Sequence, residues 1–468
     1  MSQPIATAGI AQEGRGIKSP GVIIPDSAYA SYVNPQWVRL LKLLEMNEQY
    51  ERCLGAELFT KSGRRIMDFL SGYCVYNMGH NHPAIIAALK DELDRNGPSM
   101  LQNHVPELAG VAAERLCRLA GGRIGRVSFC SSGSEGVETV IKFSRAYTGR
   151  PGIIYAQGSF HGLTCGALSL MDSPFWHDRF GQMLQGTSAV PFNDLGALEK
   201  KLADKKAAAF VVEPVQAEAG IRLPAGEYLR EAERLCRRYG TLFVLDEVQT
   251  GMYRCGPFLA AHHYGVEPDM VVIAKALSGG LVPVGAVLMS EKICDSVFSS
   301  IKRSMIHAST FGENALAMRA AIASLDVLEG EKLGARGAAL GEELRQKIRE
   351  ALSGYEMFRE VRGLGMLSGI EFQAPRSLGL KIAFETFKSI HPGMFGQMLV
   401  MRLYREKGII TQICGNNFMV LKVAPPLVVS REQVDQFVVA IKDVMEAVHH
   451  SDSFWSDAIS MARRTINL

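Results

Sequence analysis

The stretch TLFVLDEVQTGMYRCGPFLAAHHYGVEPDMVVIAKALSGGLVPVGAVLM, residues 241–289, decides the fold. It holds two short apolar runs, 241–245 and 270–274. Each ends in a charged residue, Asp246 after the first and Lys275 after the second. An uninterrupted apolar run of this length between turn residues predicts a strand buried on both faces, as in a parallel sheet. Ligands of such sheets sit at the carboxyl ends of the strands. Asp246 and Lys275 are therefore expected at one rim of one sheet. Alone, the pair fits a strand-end salt bridge as well as it fits a ligand site.

The same pattern extends to both sides. Between about 107 and 328, strands are expected at 126–130, 152–156, 208–213, 241–245, 270–274 and 284–289. They alternate with helices near 107–120, 134–148, 194–204, 226–239 and 313–328. Alternation of this kind predicts an α/β fold, a mostly parallel central sheet flanked by helices. Before it come a helix after the YVNP turn (32–35), a hairpin over 58–69, a polar loop 71–83 and a helix 83–96. In that loop His80 and His82 read as capping or hydrogen-bonded loop histidines. After Gly330 the pattern changes to a long charged helix, a glycine-rich strand pair, an irregular segment at 375–395, and a helix–strand–turn–strand–helix ending. The division expected is an N-terminal arm (1–25, mobile), an N-terminal segment (26–82), a large domain (83–330) and a smaller α+β domain (331–468). The N-terminal segment joins that small domain.

The bulk composition excludes several classes. With 51 basic and 48 acidic residues in 468, the formal charge is +3. That balance gives no electrostatic footprint for nucleic acid or a membrane surface. No apolar run approaches the ~18 residues of a membrane helix, and the start lacks the charged-then-apolar order of a secretion signal. The nine cysteines are scattered, and none forms a CxxC pair. This points away from a disulfide framework or a metal site, and toward a reduced, cytoplasmic protein.

Six short motifs stand at strand ends or helix starts. CSSGSEGVETVIKF (130–143) is strand, small-residue turn and helix. Free N–H groups at such a helix start suit a phosphate at Gly133 and Ser134, although a plain serine cap with Glu135 in the first turn reads the same way. SFHG (159–162) offers Phe160 and His161 to a flat ring, or to an ordinary core. EPVQAEAG (213–220) brings Glu213 and Glu218 to a third strand end. DEVQTG (246–251) adds Val248 and Gln249 beside Asp246. AKALSGG (274–280) carries Lys275, and HASTFGEN (307–314) carries Thr310. One ligand suits them together: a phosphate, a flat ring with a basic nitrogen, and an aldehyde. Asp246 would hold the ring nitrogen protonated and Lys275 would form the imine, which is a protein's part in pyridoxal phosphate chemistry. Desolvation at a sheet rim would lower the pKa of that lysine.

In order and spacing these motifs, from about residue 32 to 427, resemble the class III aminotransferases of fold type I pyridoxal phosphate enzymes. Within that family the resemblance is to the ornithine and putrescine aminotransferases. The resemblance implies pyridoxal 5'-phosphate as cofactor and ping-pong transfer of an amino group. The donor is a terminal amine, diamine or amino acid, and the acceptor is a 2-oxo acid or another carbonyl compound. It implies that Lys275 forms the Schiff base, Asp246 pairs with the pyridine nitrogen, and Gln249 lies near the ring hydroxyl. Val248 and Phe160 enclose the ring, with His161 and Glu213 beside it, and Gly133 and Ser134 bind phosphate. It also implies that Thr310 reaches the phosphate of a neighbouring subunit, so that a homodimer, or a dimer of dimers, shares its sites. The same scaffold also hosts aminomutases, decarboxylases and phospho-lyases. Intact Lys275, Asp246 and Gln249 speak against a non-catalytic scaffold.

The sequence departs from the family where an arginine for the α-carboxylate precedes the P-P-L triplet. Here the stretch is LKVAPPL (421–427), with Lys422 at that position. Lysine lacks the bidentate fork of arginine. A Glu218–Lys422 pair is expected, and Tyr73 matches a substrate-lining tyrosine, which suggests a long amine.

Overall fold

The computed structural model describes residues 26–101, 103–390, 393–450 and 454–455. The N-terminal arm expected over 1–25 lies outside the described residues. The chain divides into two compact units, 1–47 and 48–468. Within the first lie two short helices, Asp26–Tyr32 and Pro35–Leu43, where one was expected. The second starts at Pro35 because Asn34 caps it, its side chain accepting the Trp37 N–H at 3.0 Å, and proline is tolerated in a first helical turn.

In the second unit the strands are, in chain order, β1 (Tyr50–Leu54), β2 (Glu57–Thr60), β3 (Arg65–Asp68), β4 (Arg126–Cys130) and β5 (Gly152–Ala156). Then come β6 (Thr187–Val190), β7 (Ala207–Val212), β8 (Leu242–Asp246), β9 (Met270–Ile273) and β10 (Gly285–Met289). The last are β11 (Phe358–Leu364), β12 (Leu367–Phe372), β13 (Ile409–Ile410), β14 (Gln412–Cys414) and β15 (Asn417–Val423).

Seven strands form the central sheet, in the order β4-β10-β9-β8-β7-β5-β6. β10 runs antiparallel to both neighbours, and the pairs β5–β6, β5–β7, β7–β8 and β8–β9 are parallel. The expected mostly parallel sheet is present. Every residue of β7, β8, β9 and β10 is buried, as a sheet covered by helices on both faces requires. One covering element is the helix Gly133–Thr148, whose Val137, Val140, Ile141 and Phe143 pack with Val244, Val272 and Val287. Because β10 alone is reversed, β4, β5, β7, β8 and β9 all end at the same edge. That edge carries five of the six motifs.

Two smaller sheets flank it. β1-β2-β3-β13 joins the N-terminal strands to a two-residue strand late in the chain, and β11-β12-β15-β14 carries Lys422 on β15. The strand expected over 409–412 is thus broken into β13 and β14, which pair in different sheets. The segment 375–395, expected to be irregular, is instead helical over Leu378–Ile390 and again from Met394. Its prolines and glycines lie at the ends of the first helix. Between them Phe384 is buried and meets Phe395 edge-on, the ring centroids 5.7 Å apart. Tertiary burial therefore overrides a weak local pattern. β6 was not expected at all. It is a short strand at the edge of the sheet, only partly buried.

Candidate active site

The five strand ends enclose a cavity of about 470 Å³. Its walls include Gly133, Ser134, Phe160, His161, Glu213, Asp246, Val248, Gln249 and Lys275. Val75 and the loop 280–284 line it as well. Tyr73, Glu218 and Lys422 form a cluster joined to this wall through Gln249, whose Nε2 donates to Glu218 Oε1 at 3.1 Å. Thr310 is elsewhere, on a cavity of about 630 Å³ with Met100, Phe129 and His307.

Asp246 and Lys275 form no ion pair. The Asp246 carboxylate accepts from His161 Nδ1 at 2.7 Å and from the Val248 N–H at 3.0 Å. A carboxylate only accepts, so the His161 proton is on Nδ1. Burial disfavours the charged imidazole, but the bond and charge of Asp246 outweigh it, and the His161 pKa is raised. Lys275 begins a single 3₁₀ turn just past β9 and has φ of +48°, in the left-handed region. Non-glycine residues adopt it mainly where the surroundings impose it, often at functional sites. Burial lowers the Lys275 pKa, and the nearby Asp246 offsets part of that. A larger share of the amine is thus neutral and nucleophilic at neutral pH than in water.

The helix that follows β4 starts with a serine cap. Ser132 Oγ accepts the Glu135 N–H at 3.2 Å, and Glu135 Oε2 accepts the Ser131 N–H at 2.9 Å. The amides that open this helix have no partner within it. Glycine is required nearby: a Cβ on Gly133 would lie 2.9 Å from Val248 Cγ2, and one on Gly162 would lie 2.1 Å from Ser134 Oγ. Glu138 ties down the next loop, accepting from Thr164 Oγ1 at 2.6 Å and the Gly166 N–H at 2.8 Å.

Two polar atoms in the cavity wall are buried without a partner, His161 Nε2 and Gln249 Oε1. Such atoms are costly unless something else satisfies them. Both residues belong to the same cavity wall as Lys275 and the helix start. A donor set of amine, carboxylate-backed imidazole, amide and anion-binding helix start fits pyridoxal phosphate.

At the cluster beside the cavity, Lys422 Nζ is wholly buried and paired with Glu218 Oε1. The Tyr73 ring lies 5.0 Å from that ammonium. Glu218 Oε2 accepts the Gly415 N–H at 2.9 Å. Burial raises the Glu218 pKa, but Lys422 outweighs it and the carboxyl stays below its usual range. The attraction of Glu218 likewise overcomes burial and raises Lys422.

Glu213 behaves differently. It has no cation of its own, and burial pushes it up to about 7, with His161 pulling down and Asp246 pushing up. A carboxyl with a raised folded pKa binds protons more readily folded than unfolded. It therefore costs nothing below its ordinary 4.5 and lowers stability as pH rises from there through about 7. Glu247, pushed up to about 7 mainly by burial, acts in the same sense. The melting temperature of cofactor-free protein is expected to fall between pH 5 and 7, and to fall less steeply in Glu213→Gln. Equal slopes in the two proteins would refute the assignment.

Three residues that shape the site drew no attention in the sequence. Asn416 donates to Gly158 O at 3.0 Å and accepts from Trp176 Nε1 at 3.0 Å, and Trp176 meets Phe160 edge-on. The turn at 415–417 gave no sign of this reach. Arg254 is fully buried. Its signal was present: it is the one charge in the otherwise uncharged stretch between Glu247 and Glu267, histidines aside.

Residues 44–445 match the family described as aminotransferase class-III. The chain is 34% identical over 449 residues to the aminotransferase PigE of a Serratia species, covering 89% of this chain and 53% of that protein. It thus spans about half the length of that relative. It is 33% identical over 437 residues to a putrescine aminotransferase of Pectobacterium atrosepticum, covering 90% of this chain and 88% of the relative. Among solved structures, an ornithine aminotransferase of Toxoplasma gondii superposes with a TM-score of 0.76 at 31% identity, over 86% of this chain and 91% of that one.

Proposed function

The chain belongs to the class-III aminotransferase family, whose members use pyridoxal phosphate, and from that premise we propose that it transfers an amino group from a terminal amine to a carbonyl acceptor. The observation that carries this reading is the placing of Lys275, Asp246 and Gln249 on one cavity at the ends of neighbouring strands. When bound, the cofactor supplies an aldehyde that takes a primary amine and a ring that draws electrons from the carbon losing its proton. Lys275 would hold the cofactor before substrate arrives, and its freed amine would then accept and return the proton. Its lowered pKa leaves it able to accept that proton. Asp246, with His161 fixing its orientation, keeps the ring nitrogen charged. Gln249 would hold the ring hydroxyl, Phe160 and Val248 would enclose the ring, and the Gly133–Ser134 helix start would hold the phosphate. A homodimer is part of the proposal, in which Thr310 of the partner subunit completes the phosphate subsite.

The donor is a diamine or other long terminal amine, as the name of the putrescine relative suggests. Among the described residues no free cation flanks the cavity beside Lys275, because Lys422 is buried and neutralised by Glu218. A panel of amines and oxo acids, read by conversion of bound cofactor between its aldehyde and amine forms, tests the reading. Diamines are expected to convert it and α-amino acids to do so poorly. No conversion by any amine would overturn it. Glu218→Ala tests the pair. It strands a buried ammonium, and removing one partner of a buried ion pair costs about 3–5 kcal/mol. A denaturation midpoint unchanged from wild type would show that Lys422 is not locked by Glu218.

A further inference from the structure

Ser71, Gly72, Tyr73 and Cys74 have φ of 48°, 59°, 60° and 72°. Four successive residues thus lie in the left-handed region, where L-residues clash through Cβ and normally occur singly. Only one of the four is glycine. A turn of this kind persists only if its surroundings over-determine it.

The restraints are specific. Asp68 Oδ1 accepts the N–H groups of Leu70 at 2.9 Å and Ser71 at 2.7 Å. Ser71 Oγ donates to Ala424 O at 2.7 Å. The rest comes from Arg254, which is buried with no carboxylate partner among the described residues. Its Nε donates to Asn77 Oδ1 at 3.1 Å. Nη1 donates to Met366 O at 3.1 Å and Pro425 O at 2.5 Å. Nη2 donates to Ser71 Oγ at 3.1 Å and again to Asn77 Oδ1, at 2.5 Å. All five N–H groups of the guanidinium are used. Asn77 returns a bond to Met252 O at 2.8 Å. One side chain thus ties both ends of the segment 71–77 to the β11–β12 hairpin and to Pro425, three residues past Lys422.

What the turn presents is Tyr73, over the Lys422 ammonium, and Val75, on the cavity wall. Tyr76 packs behind that wall, against Gly280: a Cβ on Gly280 would lie 2.4 Å from its ring. We propose that Arg254 is a positioning residue for the amine substrate, fixing the left-handed turn so that Tyr73 is held over the Glu218–Lys422 pair. The proposal rests on the reading that this cluster borders the substrate. Lysine at 254 would keep the charge but not the planar five-donor fork that spans four acceptors.

Holoenzyme carrying Arg254→Lys, Tyr73→Ala, or both is compared with wild type. Arg254→Lys is expected to raise KM for a diamine about tenfold or more, with kcat within about threefold and the cofactor absorption unchanged. The double variant is expected to be no worse than the worse single one, because both changes remove the same placement of Tyr73. Multiplying effects, or loss of bound cofactor, would show a merely structural role and overturn the proposal. Hydrogen exchange on cofactor-free protein gives a second readout. Amides 70–77 should exchange at least about tenfold faster in Arg254→Lys, with those of β7 and β8 unchanged. Unchanged protection at 70–77 would overturn it. Should Arg254→Lys not fold, Ser71→Ala removes one acceptor and should shift KM in the same direction by about threefold; no shift counts against the proposal. If wild type converts no amine, the functional reading has failed, and the exchange data still judge Arg254.

Discussion

Lys275→Ala is expected to lose at least about 10⁴-fold in turnover, roughly 5 kcal/mol of transition-state stabilisation. Two losses combine. The amine that holds the cofactor is gone, and so is the base proposed to move the proton. The geometry makes Lys275 hard to replace. It leaves β9 with φ of +48°, starts a 3₁₀ turn and lines the cavity. The other buried lysine of this region, Lys422, is paired with Glu218 under Tyr73. Burial lowers the Lys275 pKa while Glu218 raises that of Lys422, so of the two Lys275 gives up its proton more readily. Folding should be little affected, because Lys275 makes no hydrogen bond or ion pair among the described residues. Steady-state rates on a diamine, with a thermal melt as control, check this. Residual turnover within tenfold of wild type would refute it.

Asp246→Asn is expected to cost about 10³-fold in kcat, close to 4 kcal/mol. Asparagine keeps the shape but not the charge that would hold a ring nitrogen protonated. A second consequence is independent of catalysis. Asp246 is what raises the His161 pKa against burial. Without the carboxylate, burial dominates and the imidazole pKa should drop below its usual value. Histidine resonances in the cofactor-free protein read this directly. A His161 titration unaltered by the substitution would show that the 2.7 Å contact does not carry the coupling.

Much of this was legible in the sequence for a physical reason. Strands buried on both faces, such as β7, β8 and β9, leave uninterrupted apolar runs, and the first polar residue after each run marks the rim. Asp246 and Lys275 were readable in that way. The salt bridge that seemed equally plausible is absent because His161, from the loop after β5, takes the Asp246 carboxylate first. Pairing across a sheet depends on strand order, which two runs alone do not specify. The helix Leu378–Ile390 was missed because Phe384 is held by tertiary contact with Phe395 and not by a strong local period. The left-handed turn at 71–74 was hidden for a different reason. Positive φ has a sequence signal only at glycine, and three of its four residues are not glycine. The strain is imposed by Arg254, some 180 residues later. Thr310 lies outside the Lys275 cavity, and its proposed role depends on a second copy of the chain.

The central claim is that Lys275 bonds covalently to the cofactor. Protein loaded with pyridoxal phosphate, treated with borohydride and digested, reports this by peptide mass. A cofactor-sized addition is expected on the peptide containing Lys275 and none on the peptide containing Lys422. An addition on Lys422, or on no buried lysine, would contradict it.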